Sequence, residues 1–190
     1  MSAWMITLTR GLVMPNFAVE FQRVMGAEGR VLEDVPGDHG GRTYCGISEV
    51  FNSTWPGWAL IDSGVALTDP TLLALVRSFY LANYWQACRC DLLPDPLAGA
   101  VFSAAINCGP VVVVQWVQRA LNLALDLSLP VDGVMGRDTL SAVGQERSAD
   151  IEAQFLGYWL RHYIDLAEVD PTQRKFFIGW VRRASAYFAA

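Results

Sequence analysis

The feature that most constrains the fold is an uncharged, largely apolar stretch from Pro96 to Gln118. A stretch of this length could cross a bilayer as one helix. However, Asn107-Cys108-Gly109-Pro110 lies in its middle, where it would break a spanning helix and expose backbone groups to lipid. We therefore predict two buried helices joined by a tight turn, and no stable membrane span. A membrane-inserting helical hairpin is the less favoured alternative.

The composition excludes two broad classes of protein. Of the 190 residues, 53% are hydrophobic and 17% are charged, so the chain is too apolar and too poor in charge to be disordered. Its net charge is −5, and Lys175 is the single lysine. Basic runs are limited to Arg174-Lys175 and Arg182-Arg183, which argues against sequence-independent binding of nucleic acid.

Cysteine and histidine usage argues against a metal site. The chain has four cysteines without paired C-x-x-C spacing and only two histidines, His39 and His162. We therefore predict no metal and no cofactor. A cysteine–histidine nucleophilic pair is formally compatible with this set. Buried free thiols are favoured, because free cysteine behaves as a small hydrophobic residue. The cysteines are Cys45, Cys88, Cys90 and Cys108.

Helical periodicity runs through most of the chain, so we predict a mostly α fold in one domain. Residues 29–46 hold five glycines and a proline, and they predict a loop or short β-hairpin after the first helix. A helix is expected to begin near Ser48 and to end at Trp55-Pro56-Gly57-Trp58. Thr68-Asp69-Pro70 predicts the start of another helix, which continues to about Trp85. Val111–Val114 has strand propensity, but its neighbours favour a helix. The other predicted helices are 15–28, 95–108, 110–125, 136–146, 148–168 and 171–188.

Glu28 is the strongest candidate for acid–base chemistry. It follows an apolar stripe that includes Phe17, Phe21 and Val24, and so falls at the end of the first helix. The negative end of a helix dipole and apolar neighbours raise a carboxyl pKa, as a general acid near neutral pH requires. Asp38 follows ten residues later. Spacing alone, however, favours a capping or solvated glutamate followed by a polar turn.

Several motifs in one order resemble the family 108 glycoside hydrolases, which are N-acetylmuramidases with the pattern E-G-G…D-x-G-G-x-T-x-x-G-I-T. The resemblance covers residues from about 17 to 187, and no single motif carries it. The second glycine of the E-G-G pattern is replaced by Arg30. The matching segments are Glu28-Gly29-Arg30, Asp38-His39-Gly40-Gly41-Arg42-Thr43-Tyr44-Cys45-Gly46-Ile47-Ser48, Tyr84-Trp85, Phe102-Ser103-Ala104-Ala105-Ile106-Asn107-Cys108-Gly109, Val117-Gln118-Arg119-Ala120-Leu121-Asn122, Asp132-Gly133-Val134-Met135-Gly136-Arg137-Asp138-Thr139-Leu140 and Phe176-Phe177-Ile178-Gly179-Trp180-Val181-Arg182-Arg183.

The resemblance implies a catalytic site of Glu28, Asp38 and Thr43. Glu28 would protonate the glycosidic oxygen between N-acetylmuramic acid and N-acetylglucosamine, while Asp38 and Thr43 would hold or activate water. Carboxyl groups about 6.5–9.5 Å apart indicate inversion, and a separation of about 5 Å indicates a covalent retaining route. A lone-acid mechanism, in which Asp38 is structural, is a third alternative.

Five further residues are predicted to contact substrate. Arg30 would crowd the cleft or offer a cation to muramic-acid carboxylates. Tyr44 belongs to the same motif, and Tyr84 and Trp85 could stack on sugar faces, although aromatics at helical spacing more often belong to the core. Asn107 would bind an N-acetyl group, with a helix C-cap as the equally weighted alternative.

The resemblance thus predicts a lysozyme-like peptidoglycan hydrolase with endolysin-like activity. We predict an N-terminal extension (1–14), a catalytic part (15–90) and a helical peptidoglycan-binding part (91–190) in the same globule. Its partners would be peptidoglycan glycan strands and a holin or other export route, because Arg10 interrupts the N-terminal apolar segment and no signal peptide is recognised. We expect a monomer that is made in the cytoplasm and acts on the cell wall in the periplasm. A catalytically weak peptidoglycan-binding or secretion accessory protein is the alternative.

Overall fold

A computed structural model of the chain describes residues 15–28, 32–33, 41–144 and 148–188. These residues are mostly helical, with one small antiparallel sheet after the first helix, so the predicted mostly α, lysozyme-like class is confirmed. A π-helical turn follows α3, and short 3-10 segments lie at Cys90–Leu92 and Pro171–Phe176. The elements are α1 Phe17–Glu28, β1 Leu32–Glu33, β2 Thr43–Tyr44, β3 Ile47–Ser48, α2 Gly57–Asp62, α3 Pro70–Tyr80, α4 Leu97–Cys108, α5 Pro110–Leu125, α6 Arg137–Val143, α7 Ser148–Val169 and α8 Phe177–Ser185.

The uncharged stretch forms two helices, as predicted. Every residue of α4 from Leu97 to Ala105 is buried. The break comes at Gly109, whose φ of 84° and ψ of 143° suit a residue without a Cβ. Pro110 then occupies the first turn of α5, where its missing N–H costs no helical hydrogen bond. In the part of the chain that the structure describes, no helix has both the length and the apolar character to cross a bilayer.

The segment after α1 forms a three-stranded sheet in the order β1-β2-β3. β2 and β3 are joined by Cys45 and Gly46, whose φ angles are 48° and 75°. Positive φ at both central residues is the type I′ geometry that matches the twist of a two-residue hairpin. Gly46 adopts it without steric cost. The alternative of a short β-hairpin is therefore the one observed.

The predicted helix beginning near Ser48 is wrong. Ser48 belongs to β3, turns follow it, and α2 begins at Gly57, where that helix was expected to end. Pro56 directly precedes α2. Proline lacks a backbone N–H, so it breaks the interior of a helix but is tolerated at the start of one. The predicted start at Asp69 is confirmed, since its carboxylate accepts hydrogen bonds from the backbone N–H groups of Thr71 (2.7 Å) and Leu72 (3.4 Å).

The core of the C-terminal half forms where α5 packs against α7. Phe155 and Trp159 of α7 and Val117 and Leu121 of α5 are fully buried there. The helical assignment of Val111–Val114 is confirmed, because these residues lie within α5. The loop between α5 and α6 is fixed by buried Gln118, whose amide donates to Asp132 Oδ1 at 2.7 Å. This arrangement supports a structural role for the Asp132-Gly133 turn.

Candidate active site

Glu28 is the final residue of α1, as the apolar stripe predicted. Two other predicted site residues, Asp38 and Arg30, lie outside the described residues. Their roles, and the role of Glu28 itself, therefore stay predictions. The position of Glu28 does place its backbone at the carboxyl end of a 12-residue helix, where the partial negative charge of the helix dipole is concentrated.

Thr43 lies in β2, close in topology to the end of α1. β1 follows α1 after three intervening residues, and its Glu33 pairs directly with Thr43. Five residues of extended chain span at most about 18 Å, which limits the separation between the Cα atoms of Glu28 and Glu33. Thr43 is half-buried, and its hydroxyl donates to the Gly41 carbonyl at 3.4 Å. The pairing of β1 with β2 therefore limits how far Thr43 can lie from the end of α1 that carries Glu28.

The hairpin that carries Thr43 is held by an arginine-centred cluster. Arg42 donates from Nε and Nη2 to the two carboxylate oxygens of Glu49, at 2.8 and 2.6 Å, and from Nη1 to Asp62 at 2.7 Å. Its guanidinium also lies 5.4 Å from the Trp58 ring centroid. The hydrogen bonds from Arg42 hold the pKa values of Glu49 and Asp62 below their usual range. Both carboxyls are thus kept ionised, which suits positioning and not proton donation.

Glu20 is a buried carboxyl that sequence reasoning missed. It is 7% exposed, and burial raises its pKa, although Arg23 at 3.4 Å opposes the shift. A Cβ at Gly99 would approach Glu20 Oε2 to 2.6 Å, so α4 packs closely over this carboxyl. The available signal was its spacing, since Glu20 is three residues after Phe17 and four before Val24, on the apolar face of α1.

A cavity of about 340 Å³ lies between α1, α4 and α8. Asn107, a predicted substrate-binding residue, lines it at the end of α4. Its amide nitrogen donates to the Ser103 carbonyl at 2.8 Å, and its amide oxygen accepts a hydrogen bond from Arg183 Nη1. Arg23 and Val24 form the α1 side of the cavity. Contact of Asn107 with an N-acetyl group stays a prediction, but its side chain borders open space.

The three predicted aromatic contacts differ in exposure. Tyr44 is 0% exposed, and its hydroxyl donates to the Leu67 carbonyl. Trp85 is 3% exposed and packs edge-to-face on Phe17 with ring centroids 5.5 Å apart. Both side chains therefore belong to the core, where no substrate atom can reach them in this conformation. Tyr84 is half-buried, so part of its ring is available at the surface.

The thiols are poorly placed for nucleophilic chemistry. All four cysteines are free, three of them are buried, and Cys108 is half-buried. Burial raises the pKa of Cys108 to about 12 and that of Cys90 well above its ordinary value. His162 is half-buried beside Trp116, with ring centroids 5.3 Å apart, and burial lowers its pKa. Among the described residues, no group of three or more histidine, cysteine or acidic side chains could hold a metal ion.

Comparison with known proteins connects this arrangement to a family. Residues 21–109 match the family described as Glycosyl hydrolase 108, and residues 112–185 match the one described as Predicted Peptidoglycan domain. The two matches meet at the junction of α4 and α5. Among solved structures, SagA of Brucella abortus is 28% identical, with a TM-score of 0.68 and 90% of each chain covered. Among curated proteins, none matches the chain at a significant level.

The two matched ranges correspond to two successive sets of elements in the structure, divided between α4 and α5. The first contains α1 with Glu28, the sheet with Thr43 and α4 with Asn107, and the second contains most of α5 and the helices packed on it. Both ranges contribute residues to the cavity beside α1. The chain thus belongs to the glycosyl hydrolase 108 family, carries a predicted peptidoglycan domain after it, and is a glycoside hydrolase that acts on peptidoglycan.

Proposed function

We propose that the protein is an N-acetylmuramidase that cleaves the β-1,4 bond between N-acetylmuramic acid and N-acetylglucosamine. The observation that carries this proposal is the position of Glu28 at the carboxyl end of α1, within the range matched by the hydrolase family. The negative end of the helix dipole favours the protonated carboxyl, which is the form that donates a proton to a leaving-group oxygen.

In the proposed reaction, Glu28 transfers its proton to the glycosidic oxygen as the bond to the muramic-acid anomeric carbon breaks. Thr43 binds the attacking water: its hydroxyl donates to Gly41, and its oxygen lone pairs remain able to accept a hydrogen bond from water. Asp38 accepts a proton from this water as the water oxygen forms its bond to the anomeric carbon. The Arg42 cluster supports this assignment because it fixes the strand that presents Thr43.

The stereochemical course follows from the separation of the two carboxyl groups. In an inverting reaction Asp38 activates water, whereas in a retaining reaction a second carboxylate attacks the sugar and forms a covalent intermediate. We propose Asp38 as the base, so the first product would have the inverted anomer. Proton NMR of the anomeric signal immediately after cleavage measures this, and a retained anomer would contradict the assignment of Asp38.

The biological role we propose is endolysin-like lysis or opening of the cell wall. The monomeric enzyme would be made in the cytoplasm and would reach the periplasmic peptidoglycan through a holin or another export route. Support comes from the predicted peptidoglycan domain at residues 112–185, which provides a wall-binding module.

Mass spectrometry of digested peptidoglycan tests the bond specificity. Reducing muramic-acid ends identify a muramidase, whereas reducing glucosamine ends identify a glucosaminidase and anhydro-muramic ends a transglycosylase. Glu28→Gln should abolish the release of these ends without lowering the melting temperature. Glu168→Gln is the matched control, because Glu168 also lies at the carboxyl end of a helix, α7, but outside the range matched by the hydrolase family.

Full activity of Glu28→Gln would overturn the assignment of the acid. If the wild-type protein sedimented with insoluble peptidoglycan but released no reducing ends, the alternative of a binding or secretion accessory protein would replace the muramidase. The presence of a separate predicted peptidoglycan domain is the observation that favours this second candidate.

A further inference from the structure

The cavity beside α1 is built jointly by the two matched parts of the chain. Arg23, Val24, Ile106 and Asn107 come from the hydrolase range, and Arg183 comes from the peptidoglycan range. A volume of about 340 Å³ accommodates a short peptide segment or one sugar ring. Because both parts are needed to form it, an occupant of this cavity contacts the catalytic part and the peptidoglycan domain together.

The charged groups around the cavity favour an anionic occupant. Arg23 and Arg183 line it, and residues 171–190 contain Arg174, Lys175, Arg182 and Arg183 but no acidic residue. This local excess of positive charge is opposite in sign to the net charge of the chain, which is −5. The lining of the cavity itself carries two cationic side chains, Arg23 and Arg183, and no acidic one, even though the protein as a whole is acidic.

The two arginines are held in place by neighbouring side chains. Arg183 donates to the Asn107 amide oxygen from Nη1, and Arg23 donates from Nη1 to Glu20 at 3.4 Å. The Arg23 guanidinium also lies 4.8 Å from the centroid of the Tyr187 ring. A guanidinium has five N–H donors, so one such bond leaves donors for a carboxylate on the ligand. Side chains fixed before binding lose little entropy when the ligand arrives.

Part of the remaining lining is apolar. Val24 and Ile106 contribute aliphatic side chains, and Ala186 and Gly179 of the α8 region present little polar surface. Alanine methyl groups and the aliphatic part of an amino-acid side chain would pack on such a surface. Ser103 and Tyr187 add hydroxyl groups to the lining, beside the Asn107 amide.

The cavity also lies at a suitable distance from the proposed acid. Val24, at its edge, precedes Glu28 by one helical turn, which is about 6 Å along the axis of α1. The stem peptide of peptidoglycan is attached to the lactyl group of the muramic-acid residue whose glycosidic bond would be cleaved. A peptide on that residue would therefore leave the glycan close to the acid, within reach of a cavity one helical turn away.

We propose that this cavity binds a carboxylate of the peptidoglycan stem peptide, with Arg183 and Arg23 as its ligands and Val24 and Ile106 as the apolar surface for the adjoining aliphatic groups. The proposal rests on the muramidase function proposed above. It makes the enzyme selective for glycan strands that carry peptides.

Isothermal titration calorimetry with the free tripeptide L-Ala-γ-D-Glu-diaminopimelate tests the proposal on the full-length protein. The same peptide with its carboxylates converted to amides is the uncharged control ligand. We expect the acidic peptide to bind at least tenfold more tightly than the amidated one. Arg183→Gln and Arg23→Gln should each weaken its binding at least tenfold.

Arg182→Gln is the matched control variant, because it removes the same charge from the preceding residue of α8, which is exposed and does not line the cavity. It should bind the acidic peptide as the wild type does. Thermal melting of each variant verifies folding, and Arg23→Gln on α1 provides an independent test if Arg183→Gln fails to fold.

Equal binding of the acidic and amidated peptides would overturn the proposal, as would a loss in Arg182→Gln equal to that in Arg183→Gln. The free peptide contains no glycosidic bond, so this result does not depend on turnover. Glu28→Gln should bind the peptide normally even though it cannot cleave glycan. Failure of the proposed hydrolysis and failure of the proposed peptide site are thereby distinguished.

Discussion

Arg183 of α8 donates a hydrogen bond to the side-chain oxygen of Asn107 at the end of α4, across 76 positions of sequence. Asn107 in turn donates to the Ser103 carbonyl, one turn earlier in α4. This pair joins the hydrolase part of the chain to its peptidoglycan part at the edge of the cavity beside α1. The end of α4 is therefore a point where the stability of the fold and the proposed peptide site depend on the same side chains.

Asn107→Ala should lower the free energy of unfolding by about 1 kcal/mol more than Asn83→Ala. Asn83 also donates to the carbonyl four residues earlier, at 2.9 Å, but it is exposed on the π-helical turn and is far in sequence from α8. The difference between the two variants isolates the contact with Arg183. Urea titration measures both values, and equal losses would show that the contact contributes nothing to stability.

Gly99→Ala should destabilise the protein by about 1–3 kcal/mol, because overpacking a buried site forces neighbouring atoms to move. The new Cβ would lie 2.6 Å from Glu20 Oε2 and 2.9 Å from Tyr187 Cε1. Gly157→Ala is the control: that glycine is exposed in α7, and no neighbouring atom lies within 4 Å of the position that the new Cβ would take.

Because alanine has the higher helix propensity, Gly157→Ala should stabilise the protein by up to about 1 kcal/mol. Melting temperatures measured by calorimetry rank the two variants. A Gly99→Ala variant as stable as the wild type would mean that the Glu20 carboxyl can leave its buried position at little cost.

Glu20→Gln and Glu49→Gln should change the pH dependence of stability in opposite directions. Burial raises the pKa of Glu20 above its ordinary value of 4.5, so the folded state binds a proton more readily than the unfolded state. The wild type therefore loses this contribution as the pH rises through the folded pKa. Relative to wild type, Glu20→Gln should gain stability from pH 4 to pH 7.

The hydrogen bonds from Arg42 lower the pKa of Glu49 below 4.5, so its contribution is present above that pH and is lost as the pH falls. Glu49→Gln should therefore be most destabilised near neutrality and approach the wild type in acid. Urea titrations at pH 3, 4, 5 and 7 measure both trends. Parallel curves for the two variants would contradict the assigned pKa directions.

Arg42→Gln should reduce the rate of peptidoglycan cleavage by about ten- to hundredfold, because a displaced Thr43 no longer positions water well. Arg42→Lys should recover only part of the rate, since lysine keeps the charge but cannot bond both oxygens of Glu49 in a fork. Release of reducing ends under saturating substrate separates the effect on kcat from that on KM.

Arg161→Gln is the control for loss of an arginine. Arg161 pairs with Asp165 on the surface of α7, and both side chains are largely exposed. Exposed pairs of this kind contribute at most about 1 kcal/mol to stability, so this variant should keep its activity. An Arg42→Gln variant with wild-type kcat would show that the hairpin keeps Thr43 in place without the arginine cluster.

Local sequence determined most of the helical architecture. The Asp69-Pro70 pair starts α3, Gly109-Pro110 separates α4 from α5, and the apolar stripe of α1 ends at Glu28. Each of these depends on backbone conformations and hydrogen bonds between residues close in sequence. The helix expected near Ser48 did not form, because the turn at Cys45-Gly46 directs β3 back along β2, and this strand pairing outweighed helical propensity there.

Only the tertiary structure decided which polar and aromatic side chains face the solvent. Tyr44 and Trp85 were predicted to contact substrate but are buried against Trp55 and Phe102, respectively. Glu20 resembled an ordinary surface glutamate but is buried beneath Gly99. Burial depends on which helix packs over a residue, and that partner is often distant along the chain.

The sequence by itself thus determined most of the helices and the family motifs, because each is encoded over a few neighbouring residues. The cavity beside α1 was decided by the tertiary position of α8, which brings Arg183 to Asn107. No local pattern specifies that contact. It arises because α8 packs on α7, where Trp180 stacks on Tyr163, and this packing leaves Arg183 beside the end of α4.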